Sequence, residues 1–287
     1  MAEAGRLTLP RTPRHRRMQP VTLLRIAIIA ALLVCWEALA RSGLLYQDVV
    51  PSLFAIGSAL LAVLTQPIVA CQSDLTFGSI VLRWTIPQPD FFCHLGRTLY
   101  EIGIGLVIGG LTGLFTGFLL GGSRLLRRAF EPLLYNLGPT PKIIFFPVMI
   151  MWFGVGAGSK VAMGAISCFF PIALNVAGGM REIDPVLIRV GLSFRANPWQ
   201  MVSKIYLPAM RHPVINGLRI GLGVALIGTL LAETKLSNRG VGFLVIQAYS
   251  LFNMPQMYAL LIVLFVIAIG LNALIGRLGG IDEIKRR

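Results

Sequence analysis

The sequence predicts an all-α membrane protein of about six transmembrane helices, and three observations carry that prediction. Of 287 residues, 55% are hydrophobic and only 13% are charged, whereas a soluble chain needs about a quarter of its residues charged to cover its surface. Mean hydropathy is +0.76. The apolar residues gather into six runs near the ~20 residues that a helix needs to cross a bilayer: Val21–Ala40, Leu99–Gly121, Pro132–Phe153, Val161–Met180, Pro213–Ala232 and Met257–Gly276.

The first run comes after a basic stretch (Arg11, Arg14, Arg16, Arg17) and ends in Ala38-Leu39-Ala40, which resembles a cleavable secretory signal. The apolar run continues through Trp36, however, and the downstream chain is itself a membrane protein, so a retained anchor is expected. Residues 41–98 form a long outside segment. Pro51–Leu64 within it is apolar but too short to span, and reads as a packed or interfacial helix; residues 66–93 show no clear period. The second run places Gly105, Gly109, Gly113, Gly117 and Gly121 four residues apart. That spacing lays them on one stripe of a helix, where a neighbouring backbone can approach closely; which helix approaches is left open. The third run contains Pro139, Pro141 and Pro147 and is expected to be broken, which a membrane helix tolerates only beside protein or water. Gly217 and Gly221 repeat the glycine spacing in the fifth run.

Orientation follows from the basic residues. With six spans and an inside N-terminus, segments 1–20, 122–131, 181–212 and 277–287 hold 17 of the 26 Lys/Arg; segments 41–98, 154–160 and 233–256 hold six. Lys and Arg are retained on the cytoplasmic side, so both termini are expected there. The net charge of +14 and pI near 10.5 therefore point to membrane topology rather than to nucleic acid, whose binding needs the charge clustered on a soluble face with stacking aromatics.

Catalytic chemistry finds no support in the sequence. No G-x-x-x-x-G-K-[ST] is present, so no phosphate-cradling loop of that type exists; Gly154–Lys160 is glycine-rich but places Ser before Lys and reads as an outside turn. The five aspartates all fall outside the six runs, the three histidines sit at loops, and the cysteines show no metal-ligand spacing. Cys71 and Cys93 both lie in the outside segment, where an oxidising compartment lets them close a disulfide. Polar groups at membrane depth are costly and so are candidates for a function: Lys142, Asn175, Arg219 and Glu233 are the candidates for a translocation pathway, with Glu101 and Glu233 also able to reach the interface by snorkelling.

The inside segment 181–212 is long for a connector. It contains Ile183-Asp184-Pro185, Asn197-Pro198-Trp199 and Ile205-x-Leu207-Pro208. Together with Trp36-Glu37, Val50-Pro51-Ser52, Pro139-Thr140-Pro141-Lys142, Trp152-Phe153-Gly154-Val155-Gly156, Phe170-Pro171, Gly217-Leu218-Arg219 and Ala232-Glu233, it resembles the transmembrane permeases of bacterial ABC importers, in the group handling nitrate, sulfonates, taurine and bicarbonate.

The resemblance implies a MetI-like, type I permease bundle in the inner membrane. Residues 99–276 would form a five-helix transport core, with 21–40 as a peripheral first helix. It implies a second permease copy, two ATP-binding subunits that hold ATP and Mg, and a periplasmic or lipid-anchored solute-binding protein; this chain itself would bind no cofactor and catalyse no reaction. The family's Glu-Ala-Ala motif falls here on Arg189, Val190 and Gly191, and its glycine on Arg195, so the chain departs at all four positions. A docking helix is expected over Arg189–Trp199, with Val190, Phe194 and Trp199 as apolar anchors and with Ile205, Leu207 and Pro208 closing the motif. An ATP-independent transporter or channel is the alternative reading.

Overall fold

The computed structural model describes residues 20–43, 49–65, 68–77 and 80–278, with the backbone alone described between 68 and 89. The tails 1–20 and 277–287 lie almost wholly outside these. Two units divide at Leu53. In the first, α1 (Pro20–Arg41) is apolar all round and exposes Leu24, Ile29, Leu32 and Val34. Its end is tied locally: Glu37 pairs with Arg41 at 2.6 Å and accepts from the Leu53 N–H at 2.9 Å, while Trp36 Nε1 donates to Pro51 O at 3.1 Å.

The second unit begins with the short helix α2 (Leu53–Leu64), where the sequence places it. The stretch expected to be aperiodic instead forms an antiparallel hairpin, β1 (Ile68–Phe77) with β2 (Ile80–Pro89), in which Cys71 stands opposite Ile86 and Asp74 opposite Arg83. The signal is present in the sequence: two β-branched and aromatic runs flank Gly78-Ser79, a hairpin pattern that a search for membrane helices passes over. The helical class therefore stands with one hairpin added to it. Cys93 is disulfide-bonded, and Cys35 and Cys168 carry free thiols; the side chain of Cys71 lies outside the described residues.

The membrane spans come next along the chain. Helix α3 (Asp90–Gly122) starts nine residues before the predicted second span. It leads into α4 (Arg124–Leu137), a 3₁₀ turn (Lys142–Phe145), α5 (Phe146–Phe153) and α6 (Ala157–Arg181). The loop holds α7 (Pro185–Ser193), α8 (Pro198–Met201), a π turn (Val202–Tyr206) and α9 (Leu207–Ala209). Helices α10 (Arg211–Lys235), α11 (Val241–Ser250) and α12 (Met254–Leu278) complete the unit. α11 is a short helix that the sequence reading does not include.

The break in the third span is where the prolines put it. Axes before and after it differ by 94°, with Pro139 and Pro141 in the gap and Pro147 in the first turn of α5, where its missing N–H costs nothing.

The glycine stripe identifies its partner as α6, in a constant register. A Cβ on Gly105 would sit 3.0 Å from Val161 O, on Gly113 2.9 Å from Phe169 O, and on Gly117 2.7 Å from Ala173 O; on Gly109 it would collide with Ala165 O, and on Gly121 with Met180 above Ala177 O. Each glycine thus faces a carbonyl 56 positions later, and the two helices run in the same direction. Parallel neighbours require the chain to return across the membrane between them, so the bent pair α4–α5 counts as one crossing and the spans number six. α10 packs antiparallel on an adjoining face of α6: Gly179 meets Pro213, Gly217 meets Asn175, Gly221 meets Ile172 and Gly228 meets Ser167.

Because the α3–α6 contact is backbone to backbone, it cannot absorb a side chain. Gly109→Val is expected to destabilise the chain by about 1–3 kcal/mol as an overpacking change, whereas Gly103→Val, which faces open space, should stay within ~0.5 kcal/mol. Thermal unfolding of the two variants in detergent compares them directly.

Candidate functional site

The loop between α6 and α10 has a buried foot and an exposed tip. Asp184 caps α7 by accepting from the Val186 N–H at 2.8 Å, and Pro185 takes the first helical position. The helix then stops at Ser193, so the single helix expected over Arg189–Trp199 is corrected to two helices and a tight turn. Ala196 N–H donates to Gly191 O at 3.0 Å and Arg195 N–H to Leu192 O at 2.9 Å, the paired bonds of a Schellman ending. The residue such an ending holds in the left-handed region is Arg195, with φ 53°. This is the position where the resemblance places glycine, and the geometry explains that preference, since a side chain there costs about 1–2 kcal/mol.

α8 restarts at once. Asn197 accepts from Gln200 N–H at 2.7 Å while Gln200 Oε1 accepts from Asn197 N–H at 2.9 Å, and Pro198 occupies the first turn. These reciprocal bonds form a capping box, so the Asn-Pro-Trp-Gln string is a helix start. Further on, Pro208 has no N–H to offer the carbonyl four residues back. The chain widens into the π turn, with Leu207 N–H reaching Val202 O.

The foot is held by apolar packing. Gly191 is buried against Met201 and Ile205, leaving no room for a Cβ. Ile183 and Met210 are buried in one cluster with Cys168, Ile172 and Val176 of α6 and Ala225 of α10, joined by Ile188 and Tyr206. The tip is the opposite: Phe194 is 84% and Trp199 76% exposed, and Val190, Leu192 and Leu207 are about half exposed or more. Arg189 and Arg195 flank them, also exposed. An exposed aromatic patch rimmed by charge marks an interaction surface.

At the opposite ends of α3, α6 and α10 lies a second polar constellation. Glu101 is 1% exposed, Glu233 0%, and Thr98 and Lys160 are equally buried. Neither glutamate snorkels. Thr98 Oγ1 donates to Glu233 Oε1 at 2.7 Å and accepts from Val241 N–H at 2.8 Å; Gly242 N–H donates to Glu233 Oε2 at 2.7 Å. Gly240 N–H donates to His94 Nδ1 at 3.0 Å, and Arg97 Nε holds Glu101 at 2.9 Å. Lys160, expected in a loop, is in the first turn of α6 and donates to Val155 O and Gly156 O. Gly240, at φ 107°, and Gly242 both lack room for a Cβ because the Glu233 carboxylate occupies it. The result is a latch pinning the start of α11 to α3 and α10. Sequence reasoning missed Thr98, His94, Gly240 and Gly242; the available signal was an intramembrane glutamate followed by Gly-x-Gly.

The other pathway candidates are not brought together. Lys142 Nζ donates to Gly138 O and, at 3.3 Å, to Thr140 O, with Phe170 5.2 Å beneath it; it caps the broken end of α4. Arg219 packs over Gly276 of α12, its Nε buried without a partner among the described residues. Asn175 donates to Pro171 O at 2.8 Å and accepts from Asn216 at 3.1 Å. It lines an open groove of about 610 Å³ with Tyr135, Glu182 and His212, beside the foot of the loop.

Residues 109–281 match the family model described as "binding-protein-dependent transport system inner membrane component". The chain belongs to this family. It is thus a permease of the ABC importer type, multi-pass in the membrane. A Bacillus subtilis protein named as an aliphatic sulfonates transport permease is 29% identical over 83% of this chain and 78% of its own length. The taurine transport system permease of Escherichia coli is 31% identical over 64% and 69%, and the nitrate import permease of Leptolyngbya laminosa 24% identical over 64% and 66%. Among solved structures, an inward-facing MetNI methionine ABC transporter chain shares the fold, with a TM-score of 0.57 and 23% identity over 67% of this permease and 93% of that chain.

Two changes test the geometry. Arg195→Gly removes the left-handed side chain and should stabilise the loop of the permease by up to about 1 kcal/mol, read as slower hydrogen exchange at Arg195 and Ala196. Glu233→Gln turns an acceptor facing the Gly242 N–H into a donor and should cost about 1–3 kcal/mol, read as a lower thermal midpoint.

Proposed function

We propose that this permease lines half of a central translocation pathway, paired with a second copy, and that the α7–α8 tip docks into a cytoplasmic ATP-binding subunit. The observation that carries this reading is the combination of an exposed Phe194/Arg195/Trp199 tip with a foot packed into α6 and α10. A push on the tip is then delivered to both helices rather than lost in a loose loop. ATP and Mg belong to that subunit, and the chain hydrolyses nothing itself. Both termini face the cytoplasm, as the Lys/Arg bias requires. A solute-binding protein delivers substrate at the outer face.

The substrate class follows from the relatives named for sulfonates, taurine and nitrate: a small anion or organic acid. Asn175 and Asn216 stand where the pathway would open inward. Glu233 is withdrawn from the pathway because it is fully enclosed, and Lys142 serves the break in α4. A bridge from Cys93, which is disulfide-bonded, to Cys71 is the pairing that two cysteines in an oxidising compartment would make.

Buried aromatics dominate small interfaces, so Phe194→Ala should weaken docking by about 2 kcal/mol or more. Uptake should fall and ATPase subunits should be lost on purification, with the spans still inserted. Arg195→Glu should do the same by reversing charge. Full ATPase association and uptake in both variants would place docking elsewhere, and failure of any ATPase to co-purify with the unaltered permease would favour an ATP-independent transporter.

A further inference from the structure

Helix α4 carries a feature that transport does not use. Its first five residues include Arg124, Arg127 and Arg128. Three like charges are thus gathered within five residues, with no acid in the first turn of the helix. No acidic side chain neutralises them: Glu131, the sole acid of the helix, pairs with Arg181 of α6 at 3.2 Å, and the three arginines make no ion pair among the described residues. Arg124 and Arg128 are exposed, and Arg127 is half-buried.

Beside this cationic end runs an apolar groove of about 380 Å³. Its walls are Leu119 and Leu120 of α3, Phe130, Leu133 and Leu137 of α4, and Phe169 of α6. On the helical wheel of α4 these leucines share one face and Arg127 adjoins it, so apolar groove and charge meet along a line. α3 and α6 end on this side and α10 begins here, so the arginines stand at the membrane surface, on the side the Lys/Arg bias makes cytoplasmic. That bias accounts for positive charge in the segment; it does not account for a groove shaped beside it.

We propose that an anionic glycerophospholipid of the cytoplasmic leaflet occupies this site. Its phosphate would be held by Arg124, Arg127 and Arg128, and one acyl chain would lie in the groove. Charge complementarity selects an anionic headgroup over a zwitterionic one, and the groove selects a lipid over a soluble anion. The site needs only the cytoplasmic placement of α4 and is independent of ATPase docking.

The test uses the full chain with its co-purifying subunits in nanodiscs of phosphatidylglycerol and phosphatidylcholine at equal proportions. After transfer to detergent, native mass spectrometry reads the lipid retained. The unaltered protein should hold phosphatidylglycerol several-fold over phosphatidylcholine. Arg127→Gln/Arg128→Gln should abolish the preference, and Arg127→Lys/Arg128→Lys should keep most of it. Leu133→Trp, which fills the groove and keeps the charges, should reduce retention of both lipids. Equal retention of the two lipids by the unaltered protein overturns the proposal, whatever the variants do. So does an unchanged preference in the Gln variant, which would make the arginines a topology signal alone. If the Gln variant fails to insert, the ionic-strength dependence of the unaltered protein decides: a preference that survives 1 M salt, where the Debye length is about 3 Å, is not electrostatic and sinks the site.

Discussion

The permease depends on one contact, the backbone-to-backbone packing of α3 on α6. In lipid, apolar side chains gain nothing by leaving one hydrocarbon environment for another, so helices associate by close fit instead. A glycine every fourth residue on α3 meets a carbonyl every fourth residue on α6 in an unbroken register over five turns. This contact dictates much else. It makes two spans parallel, which obliges the intervening residues to cross the membrane despite a 94° bend. It also leaves an adjoining face of α6 for α10, where Gly217, Gly221 and Gly228 repeat the device in the antiparallel sense and Cys168 and Ile172 touch both neighbours. α6 is accordingly the central helix, and its buried residues include Met163, Cys168, Ile172, Ala173, Val176 and Ala177.

Most of this was legible from residue patterns, because lipid imposes few solutions. The six spans, the broken third one and the glycine stripe follow from length, proline and spacing alone. What the stripe packs against was not legible, since a smooth face fits any close neighbour; the matching period of four in α6 is made of carbonyls, which no side-chain pattern announces. The hairpin at 68–89 escaped because the apolar runs of a membrane protein drown a period of two. The latch escaped for a different reason. Glu233 and Glu101 read as interfacial glutamates until the fold brings Thr98 to Glu233 at 2.7 Å, the Val241 amide to Thr98 at 2.8 Å and the Gly242 amide to Glu233 at 2.7 Å, and contacts of Thr98 across more than 130 positions leave no trace in local sequence.

The coupling loop shows where local pattern and structure part company in an informative way. The resemblance to the importer permeases places the motif glycine on Arg195, and the structure finds that residue left-handed in a Schellman ending. The backbone demand has survived while the residue best suited to it has not. A side chain kept in a conformation that disfavours it, fully in solvent and next to Phe194, is poorly explained by the stability of this chain. Gly191 argues from the other direction. The motif position there still requires a small residue, because Met201 and Ile205 fill the space a Cβ would take. Of the departures from the motif, then, Gly191 preserves the foot and Arg189 and Arg195 alter only the tip.

Where the bundle can move is set by this division. At the end of the bundle away from the loop, buried Thr98 and Glu233 join α3 and α10 to the Val241 and Gly242 amides at the start of α11, with half-buried His94 on the Gly240 amide, and unmaking such a network in a low dielectric is costly. At the loop end, the foot is apolar and packed into one cluster with α6 and α10. Between the two, α4 and α5 meet at a proline-flanked bend held by Lys142 on the free carbonyls of Gly138 and Thr140. The exposed Phe194 and Trp199 thus stand on a foot packed against α6 and α10, and beside that pair the bend is the break in the helical frame. The glycine register holds α3 and α6 together along their length, so any tilt that preserves it moves those two helices as one.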